Sequence, residues 1–396
     1  MANSDRWDVW VRDGSNERVH FVDDWTSFDI LPTVNGVGAW SLNLPYTSSA
    51  RAFMEADRAR IEFRIKGAAL ATLTGFVDEQ QEARDSGGAW VTYLGPDDNA
   101  LCWERIVYPD ATAEPAGAPP AWGSAYDRRT GKASTVMMGF VRAHVGDGAT
   151  PWRDGGVTVE AIDPLVGVSG TWQGRFEHLG DLLNEIGAET GLVWRIVGLK
   201  FYVWAPPDLT GGPAKLSEAL GNLNTWSRRK VAAAVSHVYV GGGGEGAARI
   251  IQPVSSVAAG RRKESFADRR DLTDVDELIS SGTGTLNRDA RSETLTFLAQ
   301  SVANMTYGVD YVLGDEITAV VAGTAISQVV REVRIVVSGL GEAITPTLGD
   351  GTGLITYTSP VSTDGTNHSA NVQIDPSNNL KNQATLNRKV DRVAHT

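Results

Sequence analysis

Histidine, cysteine and carboxylate side chains are the first candidates for chemistry in this sequence of 396 residues. No two histidines have the H-E-x-x-H spacing of a zinc protease, and none pairs in sequence with a candidate nucleophile. His144 ends a stripe of apolar residues at helical spacing, which favours a half-buried histidine with satisfied hydrogen bonds over a metal ligand. We therefore predict no catalytic residue, no metal site and no cofactor. The histidines are His20, His144, His178, His237, His368 and His395.

Two motifs resemble phosphate-binding loops without completing them. "GGGGEG" at 241–246 fits G-x-G-x-x-G directly after the strand pattern "VSHVYV". A dinucleotide site needs a helix after the glycines so that the helix N-terminus holds the pyrophosphate, whereas "AARIIQPV" follows here and indicates a strand. "TGKAST" at 130–135 lacks the preceding glycine of a Walker motif. We interpret the first motif as a hairpin tip and the second as the start of a helix.

Acidic neighbours and tryptophans raise two sugar-directed alternatives. Asp97 with Asp98, and Asp315 with Glu316, are adjacent carboxylates that a glycosidase could use, but among 48 acidic residues a solvated loop is the favoured interpretation. The 12 tryptophans could form a sugar-binding platform. Several of them lie in or near strand patterns, which favours core or subunit contacts. These are Trp7, Trp10, Trp40, Trp90 and Trp103.

The composition limits the partners of the chain. Its formal net charge of −12 repels nucleic acid, so we expect no tight DNA or RNA binder, although acidic walls would suit a conduit for DNA. Two basic segments, 260–271 and 387–392, fit equally a solvated surface and a contact with an acidic neighbour. Cys102 is the only cysteine, which excludes an intrachain disulfide. Without a signal-peptide pattern or a long apolar run, we expect synthesis in a cytoplasm and no membrane insertion.

Strand patterns fill the sequence up to residue 105. In "GVGAWSLNLP", at 36–45, Trp40, Leu42 and Leu44 alternate with Ser41 and Asn43, which is typical of a strand with one buried face. "RWDVWVRD" and "RVHFV" form a hairpin pattern, and "RIEFRIKG" alternates in the same way. We predict a small barrel or sandwich over 1–105.

Helical spacing replaces this alternation in the middle of the chain. "KASTVMMGFVRAHVGDG" and "RFEHLGDLLNEIGAETG" predict two helices, and "LVWRIVGLKFYVW" predicts a hairpin turning near Gly198, which together indicate an α+β domain over 106–215. Strands dominate again over 216–350, around a helix in "TDVDELISSGTGTLNRDA". The polar segment 351–396 predicts an extended or disordered arm. The predicted fold class is α+β, mainly β.

The order of these elements resembles the Gp37-like tail-hub proteins of long-tailed bacteriophages of actinobacteria. That group is itself similar to the baseplate hub of contractile tails and to the N-terminal part of tail-associated lysins. The resemblance covers about residues 5–350, from "AWSLNLP" through "IEFRIKGAALATLTGFVDE" and "LCWERIVYP" to "DYVLGDEITAV" and "VREVRIVVSG". Its structural signature comprises Trp40, Leu42, Leu44, Gly75, Arg105, Arg153, Arg175, Tyr311, Gly314, Asp315 and Arg331.

The resemblance implies two tube-like β-barrel domains with an inserted α+β domain, and a homotrimer whose barrels close into a pseudo-sixfold ring. Such a ring would lie at the tail tip of the virion, after assembly in the host cytoplasm. It would link the sixfold tail tube or distal tail protein to a threefold tip or fibre, and would meet the tape measure protein. DNA would pass through the lumen without specific binding, and the Ser41 side of the early strand would face water.

Two other functions remain as alternatives: a tail-associated peptidoglycan hydrolase and a host-glycan-binding receptor module. Many relatives of the family continue into hydrolase or fibre-like domains, whereas a polar arm follows residue 350 here. We therefore expect a structural protein without enzymatic activity. A zymogram against host cell wall tests the hydrolase, and binding of the isolated monomer to host cells tests the receptor module.

Overall fold

The computed structural model of the chain describes residues 6–85, 88–111, 124–160, 165–212, 215–256, 261–270, 272–288, 292–299 and 305–349. The early strands are β1 (Trp7–Arg12), β2 (Arg18–Phe21), β3 (Ser27–Leu31), β4 (Ala39–Pro45), β5 (Arg60–Ile65), β6 (Leu73–Phe76), β7 (Glu79–Asp85) and β8 (Gly88–Pro96). The middle strands are β9 (Asp127–Lys132), β10 (Thr158–Val159), β11 (Ser169–Gly174), β12 (Val193–Val197) and β13 (Lys200–Trp204). The late strands are β14 (Lys215–Ser217), β15 (Leu223–Val231), β16 (His237–Gly241), β17 (Ile251–Ser255), β18 (Glu264–Asp268), β19 (Ser292–Ala299), β20 (Glu316–Val321), β21 (Thr324–Ser338) and β22 (Gly341–Gly349). The helices are α1 (Arg51–Met54), α2 (Ala133–His144), α3 (Leu179–Thr190) and α4 (Val275–Arg288).

The four-stranded sheet β2-β1-β5-β6 packs against β3 and β4 because these strands direct their apolar side chains into one core. In β1, Trp7, Val9 and Val11 are at most 1% exposed and alternate with partly exposed residues. Trp7 meets Phe28 of β3 edge to face, with 5.4 Å between the ring centroids, a geometry that aromatic pairs favour. Burying a side chain of this kind contributes about 1.5–3 kcal/mol. The hairpin of β1 and β2 is formed as predicted.

A ten-stranded sheet, the central sheet, joins the two ends of the described chain. Its main path runs β15-β19-β22-β21-β3-β4-β8-β7, with β20 beside β21 and β14 beside β20. All neighbours on the main path are antiparallel. Ile335 of β21 pairs with Ile30 of β3. The main path therefore has two four-stranded halves: an early half, β3-β4-β8-β7, and a late half, β15-β19-β22-β21.

A second core lies among α2, α3 and the hairpin of β12 and β13, which together are called the middle unit below. Phe140 of α2 and Leu183 of α3 are fully buried in it. Helix α3 ends at Gly191, whose φ of 74° is the left-handed conformation that glycine adopts without steric cost. β12 and β13 pair around Gly198. The two predicted helices and the hairpin are confirmed.

A third, smaller core lies between α4 and the sheet β17-β16-β18. Val238 and Val240 of β16 and Leu278 of α4 form its centre, and each is fully buried. After the glycine-rich segment 241–246, the chain makes a 3-10 turn over Gly246–Ala248 and enters β17. The hairpin-tip interpretation of this segment is confirmed, since a strand follows where a dinucleotide site requires a helix.

The predicted fold class, mainly β with an α+β insertion, is confirmed. Strand pairing among the described residues gives open sheets, and neither predicted barrel closes by hydrogen bonds within them. The reason is that the early half of the central sheet continues into the late half through β3 and β21 instead of returning to its own first strands. The domain boundaries at 105, 215 and 350 stay predictions. The polar arm and the basic segment 387–392 lie outside the described residues.

Candidate assembly surface

The central sheet has one apolar face in the first core and a second face that is polar. On this second face, Asp29, Ser41 and Leu94 stand side by side, because they pair directly across β3, β4 and β8. Ser41 is only 3% exposed. Ser41 itself is shielded by the larger side chains that flank it on both neighbouring strands, and the expectation that its side of the strand faces water stays a prediction. The polar face is defined by Ser27, Asp29, Ser41, Asn43, Thr92, Glu332, Arg334, Thr345 and Thr347.

Side chains of the polar face hydrogen-bond to one another across the strands. Asn43 donates to the Ser27 hydroxyl at 2.8 Å and accepts from Thr92 at 2.5 Å. Arg334 of β21 forms an ion pair with Asp29 of β3 at 2.6 Å, across the line where the two halves of the central sheet meet. Buried polar groups cost free energy unless they are paired. The ion pair of Arg334 with Asp29 therefore fixes the early half against the late half, and the contacts of Asn43 join strands within the early half.

The centre of the polar face carries little net charge. The guanidinium of Arg334 is neutralised by Asp29. Glu332, on the same strand as Arg334, is 7% exposed, and burial raises its pKa to about 7. A carboxyl group with this pKa is largely protonated in mildly acidic solution. The polar face therefore combines hydrogen-bonding groups with weak electrostatic attraction for ions of either sign.

The main path of the central sheet ends at two edge strands, β7 and β15. Within the described residues, β7 pairs with β8 alone and β15 pairs with β19 alone. The sequence of β7 is EQQEARD, with three acidic residues and one arginine. The sequence of β15 is LNTWSRRKV, with three basic residues and no acidic one. The two edges of one sheet thus carry opposite charge.

Four of the signature residues meet in the first core. Trp40, Leu42 and Leu44 of β4 are fully buried, and Trp40 donates to the carbonyl oxygen of Pro96 at 3.2 Å. Gly75 of β6 lies against Trp40 and Pro96. A Cβ atom at position 75 would stand 2.1 Å from the Pro96 oxygen and 2.8 Å from the Trp40 indole nitrogen. The backbone of β6 can approach β4 and β8 this closely only with glycine at that position.

The three signature arginines of the middle of the chain also lie close together. Arg105 donates to the backbone oxygen of Arg153 at 3.1 Å. The Arg153 guanidinium lies 3.9 Å from the ring centroid of Tyr108, and that of Arg175 lies 5.6 Å from the ring centroid of Phe176. The rings of Tyr108 and Phe176 are 6.4 Å apart. The aromatic contacts of Arg153 and Arg175, together with the hydrogen bond of Arg105, thus join the three arginines into one cluster.

The remaining signature residues surround β20 and β21. Tyr311 is 1% exposed and Asp315 is 8% exposed, and burial raises the pKa of Asp315. Gly314 has a φ of 92°, and a Cβ atom there would lie 2.4 Å from the Trp204 ring. Arg331 lies at an irregularity in the pairing of β21 with β22. The structure thus separates the signature into three places, and its role as a signature stays a prediction.

His144 is the histidine closest to a catalytic arrangement, and its surroundings do not suit catalysis. Its Nε2 atom lies 2.8 Å from an Asp127 carboxylate oxygen, and its Nδ1 atom lies 3.4 Å from the Arg153 guanidinium. The side chain is fully buried, and burial lowers its pKa. A satisfied histidine is confirmed, although it is buried completely instead of by half. Within the described residues, no three His, Cys, Asp or Glu side chains are grouped as metal ligands.

Buried polar residues attach the middle unit to the first core, and the sequence analysis did not assign them this role. Asn99 donates to the backbone oxygens of Thr33 and Gly36 at 3.0 and 2.6 Å, and accepts from the Ile196 N–H at 2.6 Å. Asn35 pairs with β12 in the same manner, through the backbone of Trp194. Both asparagines thus bind backbone groups of β12, as a neighbouring strand would.

Asp98 completes this attachment. It forms a buried ion pair with Arg60, and accepts from the Leu199 N–H at 3.2 Å and from the Thr74 hydroxyl at 2.5 Å. Asp97 and Asp98 are 5% and 0% exposed, so the interpretation of this pair as a solvated loop is wrong. A carboxylate is stable there because the buried arginine and the backbone amide compensate its lost hydration. We call the contacts of Asn35, Asp98 and Asn99 the buried junction.

Ion pairs also link α3 and β9 to α4 and to the residues just before α4, and we call these ion pairs the ionic junction. Arg269 pairs with Glu185 of α3 at 3.1 Å, and Arg128 of β9 pairs with Glu277 of α4. A cleft of about 260 Å³ lies between these elements. Arg269 belongs to the basic segment 260–271, so at least part of that segment contacts an acidic residue of the same chain. The charged residues of these ion pairs can be identified in the sequence, but their partners cannot.

Comparison with known proteins places the chain in a family and gives it structural relatives. The family model described as "Siphovirus ReqiPepy6 Gp37-like protein" matches residues 7–350. No curated protein sequence matches the chain. Among the helices of the described residues, none has the length and hydropathy needed to cross a bilayer.

Three solved structures of tail proteins share the fold. The 43 kDa tail protein of prophage MuSo2 from Shewanella oneidensis is 12% identical, with a TM-score of 0.56 over 86% of this chain and 98% of its own. A tail protein from Neisseria meningitidis MC58 is 13% identical, with a TM-score of 0.55 over 87% and 97%. Prophage tail protein gp18 from Listeria monocytogenes EGD-e is 12% identical, with a TM-score of 0.50 over 87% and 94%.

Proposed function

The chain belongs to the family of Siphovirus ReqiPepy6 Gp37-like proteins, and from this premise we propose that it is the structural hub of a siphophage tail tip. In this proposal it is a virion component without enzymatic activity, assembled in the host cytoplasm. Three copies form a ring that links the sixfold tail tube or distal tail protein to a threefold tip or fibre. The tape measure protein and the tip or fibre proteins are its further partners.

The observation that carries this proposal is the central sheet. Its main path has an early and a late half of four antiparallel strands each, joined by the pairing of β3 with β21. Two similar halves in each chain give three copies six similar units around one axis. Such a ring can meet a sixfold partner on one side while it keeps threefold symmetry on the other. The predicted tube-like domains correspond in this proposal to the two halves with the strands packed on them.

The polar face supports a channel for DNA. Arg334, the cation at the centre of this face, is held by Asp29, and the chain as a whole has a net charge of −12. Lysine and arginine contacts to phosphates supply most of the non-specific affinity for DNA. A lumen lined by the polar face would offer DNA hydrogen-bonding groups but few such contacts. DNA would therefore pass without being retained.

The surroundings of His144 support a structural role over catalysis. Both of its ring nitrogens are occupied, and no part of the side chain reaches solvent. A general base must come within hydrogen-bond distance of the proton that it removes. Nothing in the described residues favours the hydrolase or the receptor module over the hub.

Native mass spectrometry of the purified full chain, with negative-stain imaging of the same sample, tests this proposal. We expect a mass of three chains and a ring with a central opening. A monomer at all concentrations up to those used for imaging would contradict the hub. A cleared zone in a zymogram against cell wall, lost on heat treatment, would contradict the absence of enzymatic activity.

A further inference from the structure

We propose that β7 of one copy pairs with β15 of the next copy, so that neighbouring central sheets join into one continuous antiparallel sheet. The inference rests on the proposed function for the number of copies and names the surface by which they assemble. Its partner is a second copy of this chain. The contact is heterologous, because each copy contributes a different edge on its two sides.

Both edge strands are open to such a partner. Side chains from Glu79 to Arg84 in β7 are all exposed, on both faces of the strand. In β15, Trp226 is 36% exposed and Val231 is 39% exposed. Edge strands present a row of backbone donors and acceptors that can pair with another chain, and proteins usually cover or interrupt them. These two edges are neither interrupted by proline nor covered by another strand of the described chain.

The charges of the two edges select one pairing out of three. A contact of β7 with β7 would bring Glu79 and Glu82 against their own copies, and β15 with β15 would bring Arg229 and Lys230 against theirs. Like charges directly opposite across a strand pair are destabilising, whereas opposite charges stabilise. Only β7 with β15 places acidic residues against basic ones. The same charges that prevent symmetric dimers therefore favour a ring.

The strand directions agree with this pairing. The main path contains eight strands and every neighbouring pair is antiparallel, so β7 and β15 run in opposite directions. Rotation about a ring axis preserves the direction of each strand along that axis. The β15 strand of the next copy therefore arrives antiparallel to β7, and the alternation continues across the contact. A main path with an odd number of strands would place parallel strands there.

The side-chain faces also agree. Glu79 pairs with Leu94 and Arg229 pairs with Thr294, which places both Glu79 and Arg229 on the polar side of the sheet. Glu82 and Arg228 lie on the opposite side. An antiparallel register with Glu82 opposite Arg228 seats all seven residues of β7 against β15 and keeps the polar face continuous. In this register Glu79 is diagonal to Arg229, within reach of its long side chain.

Charge reversal of the edges tests the inference in the full chain. One variant carries Glu79→Lys and Glu82→Lys, a second carries Arg228→Glu and Arg229→Glu, and a third combines all four changes. Each double variant should raise the dissociation constant of the assembly at least roughly tenfold, because like charges then face each other. The combined variant restores opposite charges and should reassemble. Native mass spectrometry at several concentrations measures the three effects.

A matched control separates edge effects from overall charge. Glu17→Lys with Glu245→Lys makes the same charge change at two exposed turns away from both edges, and should leave the assembly unchanged. A trimer that persists unchanged in both double variants would overturn this inference while the proposed hub stands. A wild-type chain that remains monomeric would overturn the hub itself, and the inference with it. A circular dichroism spectrum that matches the wild type establishes for each double variant that it folds.

Discussion

The middle unit is held on two sides by contacts of different kinds. At the buried junction, Asn99 and Asp98 are fully buried and each makes several hydrogen bonds to backbone or side-chain partners. At the ionic junction, Arg128 and Glu277 are 45% and 35% exposed. Exposed ion pairs contribute about 0–1 kcal/mol, whereas breaking a buried pair costs about 3–5 kcal/mol. The comparison teaches that the polar contacts of the middle unit with the first core are buried, whereas the ion pairs on its α4 side are partly exposed to solvent.

Among the variants that test this difference, removal of the Asp98 side chain should lower the free energy of unfolding most. Asp98→Ala leaves the Arg60 guanidinium buried without its carboxylate and should lower the free energy of unfolding by roughly 3–5 kcal/mol. Urea denaturation followed by circular dichroism measures the change. The control is Asp147→Ala, which removes an ion pair with Arg142 that is about half exposed, and should cost less than about 1 kcal/mol. Equal losses in the two variants would contradict the difference between the junctions.

Asn99→Ala should have the next largest effect. It leaves two carbonyl oxygens and the Ile196 N–H without their partner, and at about 1 kcal/mol for each unsatisfied group a loss of roughly 3 kcal/mol is expected. Hydrogen exchange should accelerate in β12 before it does in β1. The exposed Asn287→Ala serves as the control and should stay within about 0.5 kcal/mol of the wild type. Uniform acceleration throughout the chain would argue against a local junction.

The free energy of unfolding should depend on pH through Glu177, which lies just before α3. Burial, and next the nearby Glu185, raise the pKa of Glu177 to about 7. A carboxyl whose pKa is higher in the folded state stabilises the fold below its unfolded pKa of about 4.3, and this contribution is lost as pH rises toward 7. We expect wild type to lose roughly 2 kcal/mol relative to Glu177→Gln between pH 4.5 and pH 7.5. Parallel pH profiles for the two proteins would refute this, and Glu17→Gln provides the reference for an exposed glutamate.

The ionic junction itself should give the smallest effect. A double-mutant cycle on Arg269→Ala and Glu185→Ala should yield a coupling energy of about 0.5 kcal/mol, because both side chains are partly exposed. The coupling should fall further in 0.5 M salt, where the screening length is only a few ångströms. A coupling above about 2 kcal/mol that salt does not change would place this junction in the same class as the buried one.

Local periodicity predicted much of this fold. The apolar spacing in α2 and α3, the hairpin at Gly198 and the strand after the glycine-rich tip all depend on residues within one or two turns of each other. The pairing of β3 with β21 joins residues that are more than 300 positions apart, such as Ile30 and Ile335, and leaves no local pattern. The burial of Ser41 has the same origin, since an alternating strand indicates two faces but not the size of the neighbours on each face.

The candidate surface was less accessible to sequence analysis than the fold. The charges of β7 and β15 are visible in the sequence, yet their meaning depends on both strands being edges of one sheet, which only the topology reveals. Asp98 and Asn99 resembled ordinary loop residues, because the backbone groups that they bind lie in two distant segments, 33–36 and 196–199. Hydrogen-bonding capacity can be read from residue type. The identity of the partner cannot.

The pairing of β3 with β21 also sets an order of events during synthesis. A ribosome that has completed β3 must add about 300 further residues before β21 emerges, which takes on the order of 15–60 s at 5–20 residues per second. During this interval β3 is an open edge, although β2-β1-β5-β6 already covers its apolar face. Closure of the central sheet is therefore a late, long-range step, of the kind that slows folding. A nascent chain that stalls before residue 324 would lack the β21 and β22 residues of the first core, such as Ile335 and Leu348, as well as the strands that complete the sheet.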